Sequence, residues 1–203
     1  DGNSFQDYTQ FLNLNGLQGK KIGYLRTEEG KNFKVDTLMK KAINYMRKNG
    51  AEIIDIEKLV EGNPYLYSQI VMSYEFKNGI NKYLEDLGAQ RPVENLNEMI
   101  KRTYADSIEM EYFNLERMEN SQKRGGLEEK DYLSALEKMS IAYQKNGLDL
   151  VMDENSLDAI ICPTGSPAWK TDLMNGDNFK LSSSVYAALS GYPNITIPMG
   201  FIG

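Results

Sequence analysis

Histidine is missing from the sequence. Within these 203 residues that excludes a Ser-His-Asp triad, a Cys-His dyad and the commonest zinc sites. Cysteine is nearly missing too: Cys162 stands alone, so no internal disulfide can form. A lone thiol suits a reducing compartment, and the expected location is cytoplasmic. No stretch reaches the roughly 18 apolar residues needed to span a membrane, and residues 1 to 10 are polar, with no visible secretory leader. The phosphate and dinucleotide motifs GxGxxG and GxxxxGK[ST] are absent, as is CxxC, and no cofactor is expected. Basic residues are outnumbered, 23 against 29 acidic, leaving a net charge of -6. That balance argues against a nucleic-acid surface, which needs clustered Lys and Arg. The acidic residues Glu61, Glu85-Asp86, Glu128-Glu129 and Asp153-Glu154 are scattered without a repeated ligand spacing. They are expected on solvated helix surfaces, with no metal between them.

What is present is an ordinary globular mixture, 41% hydrophobic and 26% charged, long enough for one large or two small domains. Residues 21 to 26, Lys-Ile-Gly-Tyr-Leu-Arg, predict a strand, and residues 27 to 32 its polar exit loop. Val35, Leu38, Met39, Ala42, Ile43 and Met46 recur at helical spacing, which predicts an amphipathic helix over 33 to 49 ended by Gly50 in a left-handed conformation. Residues 52 to 56 follow as a second strand. Strand, helix and strand this close together form a βαβ unit with parallel strands.

Residues 64 to 147 differ in kind and predict an all-helical segment. Gly62-Asn63-Pro64 reads as a helix start, and one apolar face continues to Gly88. Asn95 with Glu98 resembles a capping box opening a helix to about residue 118. Gly125-Gly126 breaks the pattern, and a further helix is expected to close at Gly147.

The most informative stretch is 157 to 200. Two short apolar runs, 159 to 162 and 195 to 197, are each stopped by a proline, Pro163 and Pro198, and both read as buried strands. Loops leaving the carboxyl ends of strands are where an open α/β sheet binds ligands. The candidate substrate-binding residues are therefore Thr164 and Gly165 after the first run, and Gly191 and Tyr192 before the second. Each also has a plainer reading: Thr-Gly-Ser is a common turn, and Gly-Tyr-Pro a common helix end. Ser182 to Ser184 read as a helix cap rather than a nucleophile, Cys162 as a buried thiol with no histidine to activate it, and Trp169 as packing.

The ordered set Leu157-Asp158-Ala159, Cys162-Pro163-Thr164, Pro167-Ala168 and Gly191-Tyr192-Pro193-Asn194-Ile195-Thr196-Ile197-Pro198-Met199-Gly200 resembles the later part of the amidase signature family, serine hydrolases that cleave carboxamides. The resemblance extends to residues 17 to 26, to Tyr74-Glu75-Phe76-Lys77 with Asn81-Lys82-Tyr83-Leu84, and to Asn146-Gly147-Leu148-Asp149. It implies an α/β fold, one large mixed sheet flanked by helices, of which this chain holds a part with a central all-helical segment; within the chain at least four strands, mostly parallel, are expected. As organisation it implies one partial domain over 1 to 203: a βαβ unit over 1 to 60, helices over 64 to 147, and strand-helix-strand over 148 to 203. It also implies a linear carboxamide as small-molecule substrate and a Ser-cisSer-Lys mechanism. The family's glycine- and serine-rich catalytic segment has no match here, so no catalytic residue is assigned, the catalytic residues are expected upstream, and the chain alone is expected to be inactive. Within the family, an amidotransferase A-type subunit acting on a transfer-RNA-linked glutamate is the alternative, disfavoured by the negative charge. Outside it, a stand-alone α/β module binding a small ligand, or an inactive relative kept for a protein partner, stays open.

Overall fold

A continuous apolar run with a single central glycine makes Lys21–Leu25 a strand, β1, with four of its five residues buried, as a central parallel strand covered on both faces requires. The computed structural model describes residues 4–111 and 114–202. After β1 comes helix α1 (Phe33–Lys48), opened by Asn32, whose Oδ1 accepts from Lys34 N at 3.0 Å and Val35 N at 3.2 Å. Gly50, at φ +90°, turns the chain into β2 (Glu52–Ile56). This is the predicted βαβ unit: β1 and β2 pair parallel, with Ile22 opposite Ile53. The face of α1 that carries Met39 and Ile43 packs on Tyr24, with Ile53 and Ile161 against the cluster. Burying such side chains stabilises by about 1.5–3 kcal/mol each.

The third strand, β3 (Ala159–Ile161), pairs parallel with the other side of β1, so the order is β2-β1-β3. Asp158 sets its start. Its Oδ2 accepts from Lys21 N at 2.9 Å, its Oδ1 accepts from Lys20 Nζ at 2.6 Å, and its own N–H donates to Lys21 O at 2.8 Å. Gly23 lets the layers close, since a Cβ there would stand 2.7 Å from Leu157 Cδ1 and 3.1 Å from Ile56 Cγ1.

The chain divides into two compact units. Residues up to 59, 144–169 and 178 onward carry the sheet, and residues 60–143 with 170–177 form the other. In the second, α2 (Tyr65–Asp86), α3 (Leu96–Ala105) and α4 (Glu116–Gln122) close on a core of Leu96, Ile100 and Leu115, and α5 (Lys130–Tyr143) packs against α2. The polar residues of α2 have definite partners. Tyr74 donates to Glu129 at 2.7 Å, Glu75 accepts from Tyr132 at 2.9 Å, Lys77 donates to the carbonyls of Gln122 and Arg124, and Asn81 accepts from Leu96 N at 2.9 Å. One helix face thus fixes the loop before α5 and the start of α3. Among the described residues no helix is long and apolar enough to cross a membrane.

Four expectations are corrected. The helix read from Asn95 to about residue 118 is interrupted between α3 and α4, and Glu98 reaches Glu94 N at 2.7 Å, one residue before the capping-box position. Gly147 does not close a helix: it is buried in a π turn (Gln144–Asp149) followed by α6 (Leu150–Asn155), and the helical run ends at Ser156, φ +52°. Residues 195–197 form no strand among the described residues, and Ile195 and Ile197 are 86% and 68% exposed. Finally, among the described residues the sheet has three strands, all parallel, where at least four, mostly parallel, were expected. An apolar run alone does not make a strand, since a ladder also needs a neighbouring strand.

Candidate functional site

At the carboxyl ends of β1 and β3 two loops meet the segment leading into α7 (Ser184–Ser190). A single 3-10 turn, Arg26–Glu28, leaves β1. Glu28 is 4% exposed, and its Oε2 accepts from Lys31 Nζ at 2.9 Å and from Ser182 N at 3.2 Å. A buried carboxylate is tolerated because it is both paired and hydrogen-bonded. Beside it, Arg26 pairs with Glu29 and, at 3.0 Å, with Asp55 at the end of β2.

Pro163 ends β3, and Thr164 and Gly165 follow. Gly165 forms an antiparallel bridge with Ser182, and Ser183 N donates to Thr164 O at 3.2 Å. Ser166 Oγ accepts from Lys180 N at 3.1 Å and Leu181 N at 3.0 Å, closing the loop over Leu181, which is 1% exposed. The serine cap is corrected here: Ser183 stands at the cap position of α7 but makes no side-chain cap bond, its Oγ turning instead to Thr164 O at 3.4 Å. Ser182 Oγ lies 3.2 Å from Ser184 Oγ. No lysine ammonium is among these partners, so nothing here activates a serine as a nucleophile.

The Cys162 thiol is half-buried. Burial pushes its pKa up, against a hydrogen bond from Ser183 that pulls it down, so it stays a thiol rather than a thiolate. Burial likewise raises the Tyr186 phenol, which hydrogen-bonds Thr27, and pushes Tyr24 up to about 12 with help from the Glu29 charge. Sulfur and phenols here are neutral. The wall can therefore offer hydroxyls and backbone groups to a polar uncharged ligand, beside the buried carboxylates Glu28, paired with the exposed Lys31 ammonium, and Asp36.

The other two candidates sit at the far end of α7. Gly191, at φ +73°, donates its N–H to Ala187 O at 2.8 Å and closes the helix as expected. Tyr192 OH donates to Asp149 Oδ1 at 2.7 Å. Thr164 and Gly165 thus border the start of α7, and Gly191 and Tyr192 its end. The chain comes back to the first pair at Thr196, whose Oγ1 is 3.4 Å from Thr164 Oγ1. Sequence reasoning missed Glu28, Gln144 and Asp149. Glu28 had a signal in its position in the exit loop of a central strand, and Asp149 in the Asn146-Gly147-Leu148-Asp149 motif. Among the described residues no group of three or more Cys, Asp or Glu side chains could hold a metal.

Comparisons bear on this arrangement. A sequence model described as Amidase matches residues 3–203. The chain is 31% identical over 202 residues to an Arabidopsis thaliana protein named "Probable amidase", covering 96% of this chain and 34% of that one. A peptide amidase solved with the competitive inhibitor chymostatin superposes with a TM-score of 0.90 at 30% identity, covering 100% of this chain and 41% of that one. The native peptide amidase from Stenotrophomonas maltophilia gives a TM-score of 0.86 at 28% identity, with 100% and 40% covered. The chain therefore spans between about a third and two fifths of the length of these relatives.

Proposed function

Because this chain belongs to the amidase family, we propose that the whole protein is a carbon-nitrogen hydrolase that cleaves a linear carboxamide to a carboxylate and ammonia or an amine. The observation that carries the reading is the likeness to a peptide amidase along the full chain, at 30% identity and a TM-score of 0.90. That relative's name favours a carboxamide borne by a peptide.

In the mechanism proposed, a serine outside these 203 residues attacks the amide carbonyl. A lysine with a bridging serine takes the hydroxyl proton and delivers it to the leaving nitrogen, and backbone N–H groups hold the oxyanion. Water then attacks the acyl-serine ester, and the same pair removes its proton and returns one to the serine. The part given to this chain is scaffold and pocket wall, with Thr164, Gly165, Gly191 and Tyr192 in contact with substrate. Their support is position: all four lie in loops next to carboxyl ends of strands or at the end of α7. A neutral wall of this kind suits an uncharged amide.

Ammonia release from a peptide amide tests the reading. The whole protein is expected to turn over and the 203-residue chain alone to release nothing above buffer. Turnover by the chain alone would contradict the assignment of the nucleophile elsewhere.

A further inference from the structure

The π turn is the least ordinary piece of backbone in the sheet-bearing unit. In an α-helix, residues five apart stand about 140° apart around the axis. Closing bonds from i to i+5 widens the turn and brings such residues back towards one face. Gln144 and Asp149 are the first and last residues of this turn, and α7 packs against it. Both side chains end on the same short segment. Gln144 Nε2 donates to Ser190 O at 2.6 Å, satisfying a carbonyl that the end of α7 leaves without a helical partner. Asp149 Oδ1 accepts from Tyr192 OH at 2.7 Å, a bond strengthened by the carboxylate charge. Between them Ser190, 3% exposed, accepts from Tyr192 N at 3.2 Å through its Oγ. The left-handed Gly191 thus sits between two grips on one turn.

We propose that Gln144 and Asp149 are positioning residues: the π turn is a clamp that sets the Gly191-Tyr192-Pro193 turn for contact with the amide substrate. The proposal rests on the amidase reading above. It gives the Asn146-Gly147-Leu148-Asp149 motif a task in place of the helix end expected at Gly147. Gly147 is buried within the turn, and Asp149 works through Tyr192 rather than on the substrate. The bond to Asp149 also holds the Tyr192 phenol protonated above its ordinary range, so the hydroxyl remains a donor through neutral pH.

The test uses the whole protein with Asp149→Ala, Gln144→Ala and Asp149→Asn, the last keeping an acceptor oxygen. Hydrogen exchange followed over residues 187–199 is expected to quicken in both alanine variants, while exchange over β1 stays unchanged. For a peptide amide, Asp149→Ala is expected to raise KM about fivefold with kcat within about twofold, the scale of losing one partly exposed hydrogen bond. Asp149→Asn should restore both readouts, and in a Tyr192→Phe background Asp149→Ala should add nothing. Unchanged exchange over 187–199, or quickened exchange with KM unmoved, or no rescue by asparagine would overturn the proposal. Absence of any amide turnover by the wild-type protein would overturn the amidase reading and the substrate half of this one, while the exchange result still decides the clamp.

Discussion

Asp158 shows how much one side chain can organise. It binds Lys20 and the backbone of Lys21, so the entry of β3 is fixed against the entry of β1. The hydrogen bond from Lys20, and then that from Lys21 N, hold its carboxyl below the ordinary carboxylate range. A carboxylate with a depressed folded pKa adds stability that is present above its unfolded value, about 3.9, and lost as pH falls through the folded one. Asp158→Ala is therefore expected to be less stable than wild type at neutral pH, with the gap narrowing below about pH 4. Denaturant unfolding across pH measures this, and a gap that persists at pH 2 would contradict it. Asp158 was legible as part of a family motif, but its partners were not, because they lie 137 and 138 positions away.

The elements divide by how local their causes are. β1, α1, β2 and Gly50 were readable because periodicity and a left-handed glycine act within a few residues. The strand expected at 195–197 failed for the opposite reason, since pairing depends on what lies alongside. The π turn left no trace in the pattern because Gly147 looks like a helix stop and is instead a buried part of the turn. Serine at the start of α7 misled in a related way: its hydroxyl had a non-local partner in Thr164 O. Gly23 marks the packing limit of the sheet. With a Cβ there only 2.7 Å from Leu157, Gly23→Ala is expected to cost about 1–3 kcal/mol by overpacking. Chemical denaturation reads this directly, and an unchanged midpoint would show that Leu157 and Ile56 move aside freely.

At the scale of the whole molecule, the motif order that suggested the amidase family is borne out by a family match over residues 3–203. The α/β architecture is borne out by superposition on peptide amidases. The candidate site was partly legible: the loop after β3 and the turn after α7 could be placed from prolines and glycines. Glu28, Gln144 and Asp149, which hold them, could not.

Under the proposed function, these 203 residues frame an amidase site whose nucleophile lies elsewhere in the protein. A serine-reactive sulfonyl fluoride applied to the active whole protein, with the adduct located by peptide mass spectrometry, tests it most directly. The account predicts loss of amidase activity with one adduct on a serine outside this segment, and protection by substrate. A substrate-protected adduct on Ser182, Ser183 or Ser184 would contradict it.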